Sequence, residues 1–286
     1  YDHMYTKKEC FNSDKIYAWS KHHADKINSA KFTRTKAYYG TAPFMWELGR
    51  VASKHKFKPE GSLFFLPRDD QVTIRDEECE SVQRVIDSAP RPITFFLPWR
   101  NCDIWKHWDK LKISDGEFVQ MTDPVTRQET LSYNILRHEH VYIPWPGTDI
   151  YYAEFLNKQV HVYDRLEQYR TKIKDEMDRE RTDVLHYLKW GYNWLTDDQR
   201  TFFEWTKNWH DIDKSVRQNL TLQILGLDAL KSPEELHDDL SYHGYLENTQ
   251  KFTLNKEYQK SYEWLQSSLE KIRGQTLHDH PHISLL

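Results

Sequence analysis

Cysteine is scarce in this sequence, and long apolar runs and several common catalytic motifs are missing. The three cysteines, Cys10, Cys79 and Cys102, form no CxxC pair and leave one thiol over in any disulfide scheme. They therefore predict reduced thiols and a cytoplasmic setting. No run approaches the ~20 apolar residues of a membrane span, and no basic-then-apolar signal peptide is present. The absence of GxSxG, P-loop, HExxH and GxGxxG motifs excludes the sites that these patterns mark.

The apolar part of the chain is rich in aromatic residues. The 286 residues include 11 Trp, 17 Tyr and 13 Phe, within a hydrophobic content of 38%. Large rings fill protein cores, and they also stack on the faces of sugars and nucleotides. A chain of this length is long enough for two compact units.

The net charge of -4 hides a basic N-terminal segment. Residues 1–60 contain twelve Lys or Arg side chains and six Asp or Glu side chains, which is a net of +6 from twelve minus six. A basic segment of this kind favours phosphates, nucleic acid or anionic lipid headgroups. A solvated surface without a partner is the simpler explanation.

The chain is predicted to have three segments: residues 1–54, 55–165 and 166–286. The first has strands near 15–20 and 36–39 and a short helix at 21–27, which is too little to bury a core alone. We interpret it as a partial N-terminal segment, either the end of a larger domain or a flap on the next one. The third is helical, with capping boxes at 196–199 and 232–235. Its apolar stripes are Phe202, Trp205 and Trp209; Val216, Leu220, Ile224 and Leu227; and Tyr258, Tyr262, Leu265, Leu269 and Ile272.

The central segment alternates predicted strands and helices. The strands lie at 61–66, 92–97, 117–121, 140–143 and 160–163, and the helices at 76–88, 101–111, 126–138 and 150–156. Short apolar runs that end at proline, as at Pro67 and Pro98, are typical of buried parallel strands. The repeated units predict a Rossmann-like sheet, in which ligands bind beyond the carboxyl ends of the strands. We therefore expect the loops around Arg68 and Gly147 to lie side by side at one rim.

Residues 144–164 hold the pattern that is most informative about a ligand. A strand ends at Pro144, and after a short turn a helix begins at Thr148 or Asp149. The N-terminus of a helix presents free backbone N–H groups and the positive end of its dipole, which favours a phosphate. Gly147 allows a close approach of backbone and ligand, and the Thr148 hydroxyl can bind phosphate or cap the helix. Glu154 can accept hydrogen bonds from ribose or sugar hydroxyls, although capping and packing also explain Asp149 and much of this pattern.

Three stretches of the chain, within residues 14–165, together resemble the sequence motifs of one enzyme family. The last consists of Gly147-Thr-Asp149, Tyr152-Ala-Glu-Phe-Leu156, Lys158, Val160 and Val162-Tyr-Asp164. It resembles the signature that closes the donor domain of GT-B glycosyltransferases, especially the capsule-polysaccharide and CDP-glycerol glycerophosphotransferase branches. Ser62-Leu-Phe-Phe-Leu-Pro-Arg-Asp69 is similar to the first donor-domain strand and its Pro–Arg–Asp loop. Lys15-Ile-Tyr-Ala-Trp-Ser20 with Tyr39-Gly-Thr-Ala-Pro43 resembles the end of the acceptor domain.

The resemblance implies a fold class and a set of ligands. The fold is α/β: a nucleotide-sugar-binding, Rossmann-like parallel-sheet domain, the C-terminal half of GT-B, followed by an α-helical C-terminal region. Arg68 and Asp69 would face the nucleotide or its diphosphate, since arginine suits bidentate phosphate contacts. Arg100, after the second strand, is a similar candidate on position alone, with a surface ion pair as the other interpretation. Helix dipoles and cations would stabilise the departing diphosphate, so no metal and no cofactor are expected.

The sequence also departs from the family pattern. Gln159 stands where proline is usual, and Asn157 where glycine or Asp often occurs. Tyr152 stands where many members have the donor-binding Glu, so this role falls to Glu154 or is lost. A complete acceptor domain is much longer than the segment before residue 55. The chain is then either a fragment, or the acceptor domain has been lost or replaced by the C-terminal helices.

The sequence assigns no catalytic residue. The acceptor domain commonly supplies the catalytic base in these enzymes, and His22 and His23 lie beside the Trp-Ser turn, where a base near neutral pH is useful. A place on the surface is the simpler interpretation of both. His138 and His140 lie across a helix-to-strand junction, and alternate residues there do not converge on one metal without partners.

From these patterns we expect a GT-B-like glycosyltransferase or polyol-phosphate transferase. It would move a unit from a nucleotide-activated sugar or polyol donor to a glycan or lipid-linked acceptor, in the cytoplasm or peripherally at the membrane. One alternative is a non-catalytic, GT-B-derived module that binds a nucleotide, a glycan or a partner. Another is a nucleic-acid-binding protein that uses the basic first 60 residues, an alternative that no recognised motif supports. Fold alone does not decide among these functions.

Overall fold

The computed structural model describes the chain in several stretches. These are residues 15–18, 21, 24–25, 28, 36–65, 76–97, 111–120, 126–143, 148–163, 212–242 and 256–279. The chain divides into two compact units. The first is built mainly from residues 57–193 and 197–212, and the second mainly from residues 2–56 and 213–286.

The described residues form seven strands and seven helices of more than one turn. The strands are β1 (Lys15–Ala18), β2 (Lys36–Tyr39), β3 (Ser62–Phe65), β4 (Ile93–Leu97), β5 (Gly116–Gln120), β6 (His140–Ile143) and β7 (Gln159–Val162). The helices are α1 (Pro43–Lys54), α2 (Asp76–Ser88), α3 (Arg127–Arg137), α4 (Thr148–Phe155), α5 (Lys214–Ile224), α6 (Pro233–Tyr242) and α7 (Lys256–Asp279), and a 3₁₀ turn spans Leu227–Ala229.

The first unit contains a five-stranded parallel sheet in the order β5-β4-β3-β6-β7. The predicted α/β class with a parallel sheet is confirmed, and each of the five strands lies within about two residues of its predicted position. Helices α2, α3 and α4 follow their predicted positions equally closely. The predicted helix at 101–111 lies almost wholly outside the described residues. Strands β4 and β5 are added on one side of β3, and β6 and β7 on the other side. The position between β3 and β6, where the order of addition reverses, is the topological switch point of a Rossmann-like sheet.

A row of aromatic rings crosses all five strands on one face of the sheet. The row is Phe118 of β5, Phe95 of β4, Phe64 of β3, Tyr142 of β6 and His161 of β7. Each ring contacts the next because the residues are direct cross-strand partners in the register. The Phe64 and Tyr142 rings are stacked, with centroids 4.2 Å apart and planes 4° apart. Such pairs stabilise a sheet beyond the area that they bury.

Helix α2 covers the part of this face above β3 and β4. Its buried residues Val82 and Ile86 belong to one core cluster with Phe64, Phe95 and Ile93. The helix therefore buries the stripe that its apolar spacing predicts, and the phenylalanines of the row supply the opposite surface. This cluster is one hydrophobic core of the first unit.

Two turns of the first unit require a left-handed backbone. Gly61, directly before β3, has φ +66, and a Cβ atom placed there would lie 2.1 Å from the carbonyl oxygen of Pro92. Asn157, in the turn that follows α4, has φ 53, and the Lys158 N–H donates to the Ala153 carbonyl oxygen and so closes the helix. Asparagine tolerates this conformation better than most residues.

The second unit joins a two-stranded parallel sheet, β1 and β2, to helices from both ends of the chain. Helix α1 packs on α7 so closely that a Cβ atom on Gly49 would lie 2.8 Å from the Ser261 carbonyl oxygen. The Lys54 ammonium forms an ion pair of 2.6 Å with Glu257 at the start of α7. Helix α1 is absent from the sequence predictions, although Pro43 at its first position and its buried Leu48 follow a helical pattern.

The segment that follows β2 is hydrogen-bonded to the turn after α5. The Tyr39 hydroxyl donates to Asp228, the Thr41 hydroxyl donates to the Gly226 carbonyl oxygen at 3.1 Å, and the Ala42 N–H donates to the Leu225 carbonyl oxygen at 2.9 Å. N-terminal and C-terminal residues thus share one set of hydrogen bonds in this unit.

Of the features predicted for the C-terminal region, one capping box is confirmed. The Glu235 N–H donates to the Ser232 hydroxyl at 3.1 Å, and the Ser232 N–H donates to the Glu235 carboxylate at 2.7 Å. Leu265, Leu269 and Ile272 of the α7 stripe are buried, but Tyr258 is 45% exposed. Val216 is likewise exposed, although Leu220 and Ile224 of its stripe are buried. The capping box at 196–199 and the stripe from Phe202 lie outside the described residues.

Candidate functional site

The switch point between β3 and β6 defines the candidate site. The two strands pair in parallel, with Leu63 opposite Val141 and Phe64 opposite Tyr142, so their carboxyl ends at Phe65 and Ile143 lie at the same edge of the sheet. The chain leaves β3 toward Arg68 and leaves β6 toward Gly147. A crevice at this position is where open α/β sheets bind their ligands.

Most of the predicted site residues lie outside the described residues. This applies to Arg68, Asp69, Arg100 and Gly147, and to both candidate bases, His22 and His23. Of the remaining three, Thr148 and Asp149 are the first two residues of α4, and Glu154 lies near its end. Helix α4 is therefore the described element that carries predicted site residues.

Helix α4 begins soon after β6 ends. Its eight residues start at Thr148, so the first backbone N–H groups have no partner within the helix. Asp149 in the first turn is partly buried and already takes part in an interaction. An acidic side chain at this position interacts favourably with the helix dipole.

Glu154 is buried inside the first unit, with 4% of its surface exposed. Its neighbours Ala153 and Phe155 are buried as well, at 0% and 3%. A buried carboxylate is stable only when it is paired or hydrogen-bonded, and Glu154 does take part in an interaction. Its predicted role in accepting sugar or ribose hydroxyls stays a prediction. Tyr152 is also buried, at 8%.

Tyr163, at the carboxyl end of β7, contacts both strands of the switch point. Its N–H donates to the Ile143 carbonyl oxygen at 3.0 Å, and its hydroxyl donates to the Phe65 carbonyl oxygen. The side chain is 5% exposed. Sequence reasoning used this residue only as part of a resemblance and gave it no role. A tyrosine directly after a buried strand was the available signal, because buried tyrosine hydroxyls need a partner.

The opposite edge of the sheet carries a network of polar residues around His138. Its ring Nδ1 lies 2.7 Å from the Asn134 carbonyl oxygen, and its Nε2 lies 2.9 Å from the Thr94 hydroxyl. A carbonyl oxygen only accepts, so Nδ1 carries the proton and the Thr94 hydroxyl donates to Nε2. Arg137 in turn donates to the Thr94 oxygen at 3.0 Å and pairs with Glu117.

This network holds His138 in its neutral form. Burial, more than any other cause, lowers the pKa of His138 to about 4, and the charges of Arg137 and Lys158 act in the same direction. Burial also lowers the pKa of Lys158 to about 8, and its ammonium donates to the Leu136 carbonyl oxygen at 3.0 Å. His138 and Lys158, whose pKa values are lowered, lie at the amino ends of the strands. We therefore interpret them as parts of the fold and not of the ligand site.

The neutral His138 predicts a loss of stability in acid. Its pKa is about 4 in the folded chain and about 6.5 when unfolded, so the unfolded state binds more protons between these values. The contribution of neutral His138 to the free energy of unfolding is therefore complete above pH 6.5. It amounts to at most about 3 kcal/mol and is lost as the pH falls through 6.5 toward 4. We expect denaturant unfolding at pH 7 and pH 4 to show a larger loss for the wild-type chain than for His138→Gln. Equal losses in the two chains would contradict the assignment.

His140 and His161 form a hydrogen-bonded pair between β6 and β7. The Nδ1 atom of His140 lies 3.0 Å from the Nε2 atom of His161, and the ring centroids are 5.3 Å apart. The two nitrogens therefore face each other along the line that joins the rings, so that one ring donates its N–H to the other. The predicted failure of His138 and His140 to converge is consistent with this geometry, since His138 bonds Thr94 and His140 bonds His161.

Neither a metal centre nor a membrane span is evident in the part of the chain that the structure describes. No group of three or more His, Cys, Asp or Glu side chains there is arranged to hold a metal ion. No helix there has both the length and the apolar character to cross a membrane. Comparison with protein-family models, with curated proteins and with solved structures found no match to this chain.

Proposed function

We propose that the first unit binds the nucleoside diphosphate part of an activated donor, and that the chain acts as a GT-B-like glycosyltransferase or polyol-phosphate transferase. The observation that carries the proposal is the strand order, which brings the carboxyl ends of β3 and β6 together at one edge. In the sequence, each of these ends is followed by residues suited to phosphate: Arg68 after β3, and Gly147 and Thr148 after β6.

The chemistry of these residue types suits a diphosphate. A guanidinium group forms two parallel hydrogen bonds to phosphate oxygens and remains charged at any physiological pH. The first backbone N–H groups of α4 add further donors and the positive end of a helix dipole. Both act most strongly on the charge that develops on a leaving diphosphate, so they favour cleavage of the bond to the transferred unit.

The proposed reaction is a group transfer between two oxygen atoms. A hydroxyl oxygen of the acceptor bonds to the donor carbon, or to its phosphorus in a polyol-phosphate transfer, while the bond to the nucleotide's leaving phosphate breaks and the electron pair leaves with that phosphate. The acceptor proton passes to a base, for which His22 and His23 remain the candidates. The acceptor is a glycan or a lipid-linked glycan, the latter reached by peripheral contact with a membrane.

The proposal predicts nucleotide binding that depends on Arg68. We expect at least one of UDP, CDP, GDP and CMP to raise the melting temperature of the wild-type chain. Arg68→Ala should weaken that binding by about tenfold to a hundredfold, because a hydrogen bond to a charged group contributes roughly 1.5–3 kcal/mol. Isothermal titration calorimetry measures the affinities directly. Arg84→Ala is the control, because Arg84 is an exposed arginine of the same unit on α2.

Nucleotide titration, combined with assays of donor turnover and of oligonucleotide binding, separates the alternatives. Nucleotide binding together with donor hydrolysis or transfer supports the transferase, whereas binding without turnover in the presence of acceptors supports a non-catalytic module. Salt-dependent binding of oligonucleotides without any response to mononucleotides supports a nucleic-acid-binding protein. A wild-type chain that binds none of the four nucleotides contradicts the proposal.

A further inference from the structure

In the second unit, an asparagine side chain pairs with the backbone of strand β2. The Ala37 N–H donates to the Asn28 side-chain oxygen at 2.8 Å, and the Asn28 side-chain nitrogen donates to the Ala37 carbonyl oxygen at 2.8 Å. A side-chain amide carries a carbonyl acceptor and N–H donors, which are the groups that a peptide also offers. Asn28 therefore occupies the place that the backbone of a neighbouring strand would take.

Both bonds lie on the side of β2 that faces away from β1. In a strand, the N–H and C=O groups of one residue point to the same side, and those of the next residue point to the other side. Ile16 of β1 lies opposite Ala37 in the register. Because both Ala37 groups bond Asn28, the neighbouring residues Lys36 and Tyr38 supply the bonds of β2 to β1. The sheet has two strands in the described part of the chain, so the Ala37 side is its outer edge there.

A buried contact one helical turn earlier positions Asn28. Ala24 and Asn28 are both helical and four residues apart, so they lie on the same helix face. Ala24 is 3% exposed and belongs to one core cluster with Ile16 and Ala37. The small side chains of Ala24 and Ala37 allow this turn to approach β2 closely. The Asn28 amide is then within hydrogen-bonding distance of the edge.

We propose that Asn28 prevents β2 from pairing with the same edge of a second copy of this chain. A free strand edge presents unpaired N–H and C=O groups, which are a template for another strand. Two copies of one edge, related by a twofold axis, offer each other identical groups, so no other partner sequence is needed. Lys36 at the start of β2 is exposed, and a lysine on an edge also opposes such pairing. The inference concerns the second unit and does not depend on nucleotide binding.

The test removes the amide and measures both the edge and the association of the chain. In Asn28→Ala we expect hydrogen exchange of the Ala37 amide, followed by NMR, to be at least about tenfold faster than in the wild-type chain. The Tyr38 amide, which faces β1, should keep its rate. Sedimentation velocity at roughly 1–100 µM should show self-association at least about tenfold tighter than in the wild-type chain.

Lys21→Ala is the matched control, because it changes an exposed residue of the same helical stretch. It removes the 2.7 Å ion pair with Asp25, in which the lysine side chain is 70% exposed, and leaves both Ala37 bonds in place. We expect this variant to match the wild-type chain in the exchange of the Ala37 amide and in its self-association.

Two results would overturn the inference. If Asn28→Ala stays folded by circular dichroism and its Ala37 amide exchanges no faster than in Lys21→Ala, the amide does not close the edge. If exchange is faster but self-association equals that of the control, the open edge does not pair with a second copy. Should Asn28→Ala unfold, Asn28→Asp decides, since it keeps the acceptor and loses the donor. Tighter association than in the control then supports the inference, and equal association overturns it.

Discussion

Replacing Phe64 with alanine is expected to destabilise the first unit by about 3–5 kcal/mol, the usual range for a buried phenylalanine. Phe64 is 1% exposed and lies at the centre of the aromatic row. Its ring contacts those of Phe95, Tyr142 and Tyr163, with centroids 5.4, 4.2 and 6.0 Å away. Alanine would remove all three contacts and leave a cavity between α2 and the sheet, which close-packed neighbours fill only in part.

Phe118→Ala is the control for this prediction, since it makes the same change at the end of the same row. Phe118 is 40% exposed and stacks on Phe95 with centroids 5.1 Å apart. Because much of its surface already meets water, we expect a loss of about 1 kcal/mol. Urea unfolding monitored by circular dichroism gives both values. Equal losses for the two variants would mean that the row does not contribute to the core as described.

The second large effect is expected for Gly61→Ala, at the turn before β3. Gly61 has φ +66, and an added Cβ atom would lie 2.1 Å from the Pro92 carbonyl oxygen and 2.7 Å from the Pro92 nitrogen. Alanine costs roughly 1–2 kcal/mol in the left-handed conformation alone. The contacts with backbone atoms are too short to persist, so either Gly61 or Pro92 must move. We expect a total loss of about 3 kcal/mol or more, in the range that marks a named structural cause.

Gly274→Ala serves as the control and is expected to have the opposite sign. Gly274 lies in α7, and a Cβ atom placed there would meet nothing within 4 Å. Alanine favours a helix over glycine, so this variant should gain roughly 0.5–1 kcal/mol. Thermal unfolding of the two variants beside the wild-type chain measures both effects. A Gly61→Ala variant as stable as the wild-type chain would show that the turn adapts to a side chain.

The fold of the first unit was largely predictable, because the strands of its sheet have recognisable local sequence patterns. Strands β3 and β4 are short apolar runs that end at Pro67 and Pro98, and parallel strands buried on both faces require such runs. The order of the strands is a different kind of information. It depends on pairing between distant residues, such as Leu63 with Val141, which no local pattern reveals. The rules for α/β sheets predict the edge where ligands bind, but only the structure identifies β3 and β6 as neighbours.

The second unit was harder to predict, for the same physical reason. Helix α1 buries Met45 and Leu48 completely, and its main partner is α7, whose Ser261 accommodates Gly49 of α1. A helix is stable mainly through the partner that covers its apolar face. That partner lies more than half the chain away, so the first 54 residues alone predict too small a core.

The candidate site was predicted by residue type but not by its supporting contacts. Arginine, glycine and threonine after strands suggest phosphate from their chemistry alone, which is why Arg68, Gly147 and Thr148 were chosen. Glu154 was chosen for the same reason, but it is buried, because its exposure depends on packing that the sequence does not display. The hydrogen bond of Tyr163 joins two strands that are distant in the chain. No spacing pattern predicts a bond of that kind.

Strands β3 and β6, although neighbours in space, are made at different times during synthesis. Ser62 pairs with Ile93 roughly 30 residues later but with His140 roughly 80 residues later, and closing the longer loop costs about 1 kcal/mol more in chain entropy. Pairings between distant residues are slow to form. The ribosome makes β3, β4 and β5 before it makes β6, so a nascent chain carries an open edge on β3 until β6 emerges. The crevice at the switch point is therefore among the last parts of this sheet to form.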